Sequence, residues 1–251
     1  MKPGPKLAAI ARVCGRLARL AASACRFLAR KGTALARSFP WTTATLATIL
    51  ACAALIAWGD RPIAFALRRH LPLETFGFFK VLTDVGPAGL WYAMAAALLL
   101  GGRILAGFAI DIETHDQYMR LARGAWFILV AMATSGLAAL GLRFACGRYR
   151  PRYLFLNGLY GLDPFGIHMG MYSFPSGHTQ TVVAAMLALY YVYPRYNLLY
   201  ILIAVLMGAS RAVTTVHYVS DVLAGAFIAV AVTRVLKFLF ERGGRSLRLD
   251  G

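Results

Sequence analysis

Two histidines in the C-terminal half of the chain stand in settings suited to proton and phosphate chemistry. His178 follows Pro175-Ser176-Gly177 and immediately precedes an apolar run ending at Tyr193. His217 stands four residues before Asp221, in a segment that opens with Ser210-Arg211. Proline, a hydroxyl and glycine suit a helix start: Pro175 pre-sets the backbone, Ser176 can cap, and Gly177 lets an anion approach free N–H groups. An imidazole at that place adds a group that gives or takes a proton near neutral pH, which anion binding alone does not require. Taken singly, such a start is plain helix capping, so the reading depends on partners elsewhere.

Those partners are arginines. Arg143 and Arg150-Pro151 are seven residues apart, two turns along one face if the helix continues, although Gly147 between them can end it. Arg143, Arg150 and Arg211, with the N–H groups of Ser176 and Gly177, make a cradle that tightens as the oxygens of a transferring phosphoryl group gain charge. Asp221, one turn beyond His217, can accept a hydrogen bond from one ring nitrogen and leave the other free to attack phosphorus. His178 can then protonate the departing group and activate water against the phosphohistidine. The scheme calls for neither metal nor cofactor.

In order and spacing these residues resemble the type 2 phosphatidic acid phosphatase superfamily. The matching pieces are Arg143 with Arg150-Pro151, then Pro175-Ser176-Gly177-His178, then Ser210-Arg211, His217 and Asp221. Arg143 departs from the pattern, because the family more often carries Lys there; the charge is kept and the hydrogen-bond geometry changes. The resemblance implies a six-helix core, a phosphohistidine on His217, an acid role for His178 and metal-independent removal of phosphate from lipid phosphates. The same superfamily includes soluble acid phosphatases and vanadium haloperoxidases, against which the membrane spans argue.

The elements that must position the motifs are membrane helices. Of 251 residues 59% are hydrophobic and only 15% charged, and mean hydropathy is +0.62, whereas soluble domains carry about 25% charged residues. Six apolar stretches predict spans at Trp41–Trp58, Ala88–Phe108, Gly124–Leu142, His178–Tyr193, Leu198–Ser210 and Val219–Phe238. The fold class is therefore all-α and polytopic. Residues 1–40 read as a basic amphipathic leader, 41–242 as the six-helix membrane domain and 243–251 as a basic tail. In the leader Arg12, Arg16, Arg19, Arg26 and Arg30 recur at helical spacing, as in a helix lying on an anionic membrane surface. A cleaved signal peptide fits badly, and an organelle transit peptide is the alternative. The net charge of +17 could suggest nucleic acid, but leader and loops account for it and no nucleic acid partner is expected.

Basic residues at both ends place both termini in the cytoplasm and the motif loops on the outer, periplasmic face of a bacterial inner membrane. Arginines kept on that face run against the usual charge bias, and an anionic substrate supplies a reason. Arg148 and Arg152 read as headgroup contacts or substrate selectors. Asp111-Ile112-Glu113-Thr114-His115-Asp116 reads as a solvated turn rather than a metal cluster. Glu74–Lys80 with Trp91 and Tyr92 reads as an aromatic belt. Cys14, Cys25, Cys52 and Cys146 read as small apolar residues. The function expected is hydrolysis of a phosphate monoester or diphosphate on a lipid: undecaprenyl diphosphate, phosphatidylglycerol phosphate, phosphatidate or a lipid A phosphate. A phosphotransferase passing the group to another lipid is the first alternative, and a non-catalytic phospholipid-binding or transport protein the second.

Overall fold

The computed structural model describes residues 37–85, 88–166, 172–242 and 246–249. The amphipathic leader and its two cysteines fall outside these, apart from the last residues before Pro40. The chain divides into a unit ending at Leu50 and a second from Ala51 onward, and the site lies wholly in the second. The described residues are helical, with one isolated antiparallel bridge between Arg148 and Leu162.

In chain order the helices are α1 (Pro40–Ala54), a π-helical turn (Leu55–Gly59), α2 (Asp60–His70), α3 (Leu73–Val85), α4 (Ala88–Phe108), α5 (Ile112–Cys146), α6 (Pro151–Asn157), α7 (Gly177–Val192), α8 (Asn197–Val213) and α9 (Val219–Glu241). Among the described residues five stretches are long and apolar enough to cross a bilayer: Pro40–His70, Leu73–Phe108, Ile112–Cys146, Pro194–Val213 and Val219–Glu241. The expected fourth span, α7, has 16 residues and rises only about 24 Å against a hydrocarbon core of about 30 Å. It is the most enclosed helix, packing on α5, α8 and α9, with Val182, Ala184, Ala185, Met186 and Ala188 all buried.

Several boundaries differ from expectation. Helix continues past Trp58 to His70, so Asp60 lies inside a helical stretch and is buried. Glu74–Lys80, expected as an interfacial belt between spans, belongs to α3. The acidic segment from Asp111 starts α5 instead of forming a loop: the Asp111 carboxylate caps it, accepting from the Thr114 N–H at 2.7 Å, and His115 Nδ1 meets the Ala106 carbonyl at 3.0 Å. The tail is more than a basic extension, because Leu247 is buried in the apolar core and the Leu249 N–H reaches the Val192 carbonyl at 3.0 Å.

Small residues let the helices approach closely, as membrane packing favours. Ala95, Gly102 and Ala106 form the buried face of α4, and a Cβ on Gly102 would stand 3.0 Å from the Tyr118 carbonyl of α5. Polar side chains tie helices in the core: Gln180 of α7 donates to Ser135 at 2.6 Å and to the Met132 carbonyl at 3.1 Å, both on α5. Thr83 of α3 donates to Ser210 of α8 at 2.6 Å. Leu98, Leu100 and Ile104 on α4, Ile201, Leu202 and Val205 on α8, and Val235, Phe238 and Leu239 on α9 are exposed, as lipid-facing positions should be.

Where α9 crosses the start of α7, a Cβ on Gly225 would stand 2.5 Å from the Ser176 carbonyl. Backbone cannot yield as a side-chain tip can. Gly225→Ala is therefore expected to destabilise the protein by about 1–3 kcal/mol, read as a lower melting temperature in detergent, with loss of activity at temperatures the native protein tolerates.

Candidate active site

The C-terminal ends of α5 and α8 and the N-terminal ends of α4, α7 and α9 meet around one cavity of about 400 Å³, whose lining includes Arg143, Arg150, Gly177, His178, Arg211 and His217. Three arginines and both histidines singled out by the sequence thus converge on one space. Their positions come from chain terminations. Gly147, at φ 53°, caps α5 in the left-handed conformation, and a Cβ there would overlap the Asp163 carbonyl. The helix therefore does not run on from Arg143 to Arg150, as one face would have required. Arg150 instead precedes α6, with Pro151 at its first position.

The segment from Gly147 to Arg150 is strapped on both sides. The Tyr149 N–H donates to the Gly161 carbonyl at 3.2 Å, and the Arg148 carbonyl accepts from the Ser173 N–H at 3.0 Å. At the start of α7, Ser176 caps weakly, accepting from the Thr179 N–H at 3.5 Å and the Thr179 hydroxyl at 3.0 Å. Its own N–H, expected among the phosphate donors, donates to the Asp221 carbonyl at 2.9 Å. That bond ties α7 to α9 and takes the Ser176 N–H from the cradle. Gly177 remains in the lining, and a side chain there would collide with the Arg143 guanidinium. Arg143 donates to the Pro175 carbonyl at 3.3 Å, and the Nε atoms of Arg143, Arg150 and Arg211, like that of Arg148, are buried without a partner among the described residues. Burial, then the neighbouring charge of Arg152, pulls the Arg150 guanidinium below its ordinary pKa. None of the three forms an ion pair among the described residues, a setting that favours an anion.

His217 lies between the ends of α8 and α9 and is buried. Its Nδ1 is 2.8 Å from the Ser173 carbonyl and 3.5 Å from the Asp221 carboxylate. A carbonyl only accepts, so Nδ1 carries the proton and Nε2 keeps its lone pair. Asp221 was expected to be the direct acceptor; the nearer one is Ser173, and the carboxylate stabilises positive charge on the ring from the edge of hydrogen-bond range. Burial holds the His217 pKa below the ordinary imidazole range, opposed by Asp221 and reinforced by Arg150 and Arg211. That direction favours the neutral ring, the form in which an imidazole can act as a nucleophile.

Asp221 is itself held from several sides. One oxygen accepts from the Ser173 hydroxyl at 2.6 Å and the Tyr218 N–H at 2.8 Å, the other from Arg148 at 2.5 Å. Arg148, expected as a headgroup contact or substrate selector, is fully buried. It also donates to Asp60 at 2.8 Å, Ser220 at 2.6 Å and Tyr160 at 3.3 Å, and stacks over the Tyr218 ring at 4.2 Å. Burial works against its charge, and Asp221 and Asp60 outweigh burial, leaving its pKa above the ordinary value. Asp60 completes the frame by accepting from both the N–H and the hydroxyl of Ser220. The π-helical turn before Asp60 changes the phase of the helix, and the Ile56 carbonyl in it accepts from Tyr160 at 2.5 Å. Asp60, Arg148, Ser173 and Tyr160 were not legible as site residues. The available signal was Asp60 itself, an acid at the end of an apolar stretch in a chain with 10 acidic residues against 27 Lys and Arg.

Residues 124–244 match the model of the PAP2 superfamily. That stretch carries the likeness to the superfamily. It contains every residue of the cavity except those contributed by α4, and none of α2. Over 212 residues the chain is 29% identical to a protein named lipid A 1-phosphatase from Rhizobium johnstonii, covering 83% of this chain and 84% of that one. It is 28% identical to another of that name from Rhizobium etli, covering 83% and 89%. In fold it is similar to the crystal structure of a transmembrane PAP2 type phosphatidylglycerolphosphate phosphatase from Bacillus subtilis, with a TM-score of 0.58, 20% identity, and coverage of 79% of this chain and 94% of that one.

Asp60 does not line the cavity yet shares Arg148 with Asp221, which makes it a positioning residue. Asp60→Asn is expected to lower kcat by roughly tenfold, through loss of about 1–2 kcal/mol of alignment. The acid limb of the native pH profile should lie below 6.5, the ordinary imidazole value. It should not rise in Asp60→Asn, because removing a negative charge cannot help protonate His217. An unchanged kcat would show that the carboxylate only supports the fold.

Proposed function

We propose that the chain is an integral membrane lipid phosphatase that works through a phosphohistidine. The observation that carries this reading is the convergence of His178, His217, Arg143, Arg150 and Arg211 on one cavity. In the first step the His217 Nε2 lone pair forms a bond to phosphorus, the bond from phosphorus to the lipid oxygen breaks, and the departing oxygen takes a proton from His178. In the second, His178 removes a proton from water, the water oxygen bonds to phosphorus, and the bond to His217 breaks to release phosphate. Arg143, Arg150, Arg211 and the first N–H groups of α7 stabilise the charge on the transferring group. Asp221 favours the imidazolium-like charge that His217 acquires. None of these steps uses a metal.

Among lipid phosphates, a lipid A type substrate is favoured by the names of the two curated relatives, each matching four-fifths or more of both chains. The proposed setting is a bacterial inner membrane with both termini cytoplasmic and the cavity facing the periplasm. Its support is the basic residues at Arg234, Lys237 and Arg242 near the far end of α9, opposite the end that carries Asp221.

Phosphate release from lipid A, phosphatidylglycerol phosphate, phosphatidate and undecaprenyl diphosphate, measured in detergent with EDTA, tests the reading. Release from at least one lipid is expected, falling by about 10³-fold or more in His217→Ala and by about 10²-fold or more in His178→Ala. Release that requires added metal, or that survives His217→Ala, would overturn the mechanism.

A further inference from the structure

A second cavity, which the mechanism above does not use, adjoins the first. It measures about 460 Å³, and its lining includes Arg68 at the end of α2, Arg150 and Arg152 at the start of α6, Phe155, Thr214 and Thr215. No carboxylate lines it, and none of its three arginines forms an ion pair among the described residues. Arg150 belongs to both cavities, so the two share a wall.

The arginine heads are held without being neutralised. The Arg68 guanidinium stacks over the Phe155 ring at 4.3 Å, and Arg152 donates to the Tyr153 hydroxyl at 2.8 Å. An arginine that merely anchors a helix reaches singly toward water or a lipid headgroup. Here three converge on one concave space, one of them half-buried, and a bound anion would offset their mutual repulsion. The opposite wall is the turn that joins Arg211 to His217, in which Thr215 holds φ 52°, a conformation that β-branched residues rarely adopt. A ligand in this cavity therefore lies against the catalytic loop.

We propose that this cavity is a subsite for a second phosphoryl group, held by Arg68 and Arg152 beside the one under attack, so that these two arginines determine specificity. Guanidinium forks match phosphate oxygens two at a time, and Phe155 and Leu156 give the carbon skeleton between the phosphates an apolar wall. The second phosphate comes either from the same substrate molecule or from the headgroup of a neighbouring anionic lipid. The inference rests on the adjoining cavity being the phosphatase site.

The test compares native protein with Arg68→Gln/Arg152→Gln, whose substituted side chains are exposed and make no ion pair. Two substrate pairs are used in detergent micelles: bisphosphoryl lipid A against the form keeping only the phosphate under attack, and phosphatidylglycerol phosphate against phosphatidate. Affinities for the same lipids are also measured on His217→Ala protein with and without the two glutamines. For a two-phosphate lipid, KM and the binding constant should rise at least about tenfold with kcat held, while values for its one-phosphate partner stay unchanged. If the second phosphate comes from a neighbouring lipid, added phosphatidylglycerol should instead lower KM for the one-phosphate substrates of the native protein, and the variant should lose that effect. Constants unchanged throughout, or raised equally for both members of each pair with no response to added lipid, would overturn the subsite. Selective binding on His217→Ala protein without turnover by the native protein would sink the phosphatase reading and leave the subsite standing.

Discussion

The buried guanidinium of Arg148 is the constraint around which this site is organised. A charge taken out of water is tolerated only where its partners are fixed in good geometry, and breaking one such pair costs about 3–5 kcal/mol. Arg148 meets this condition by drawing Asp60 from α2 and Ser220 and Asp221 from α9 to a single point, with Tyr160 and Tyr218 enclosing it. Because Asp221 is pinned there, its other oxygen can hold Ser173 and the Tyr218 N–H, and Ser173 in turn sets the tautomer of His217. A residue outside the cavity thus determines which nitrogen of the proposed nucleophile faces phosphorus.

The cradle follows the opposite rule. Arg143, Arg150 and Arg211 are brought to one space with few acceptors, and their Nε atoms are left without partners. Arg148 is paired with two carboxylates, although its own Nε also lacks a partner, and it orders the frame; the three cradle arginines form no ion pair among the described residues. Close backbone approach makes both arrangements possible. Gly147 ends α5 so that Arg148 turns inward while Arg143 stays at the rim, and Gly177 clears room for the Arg143 head.

Much of this was legible in the sequence because membrane helices and capping residues carry local signals. Ala88–Phe108 and the starts of α7 and α9 were readable from apolar length together with Ser176, Gly177 and the residues before Val219. The convergence of the three motifs followed from their order along alternating spans. What was hidden depended on partners far apart in sequence. Asp60 and Arg148 are 88 positions apart, and neither carries a pattern that names the other, so Arg148 read as a headgroup contact or substrate selector. The Ser176 N–H looked free because nothing local shows that the Asp221 carbonyl occupies it. Asp221 looked like the direct acceptor for His217 because a four-residue spacing implies helical contact, yet His217 lies before α9 begins and reaches Ser173 more closely.

The central claim is that a neutral, tautomer-fixed His217 attacks phosphorus before water does. The stereochemical course of hydrolysis tests it most directly, followed with a phosphorothioate analogue of the substrate lipid made chiral with two oxygen isotopes and hydrolysed in water carrying the third. Two successive in-line displacements, first by His217 and then by water, invert the centre twice, so the account predicts net retention of configuration. Net inversion would mean that water attacks the lipid phosphate directly, and would contradict the account.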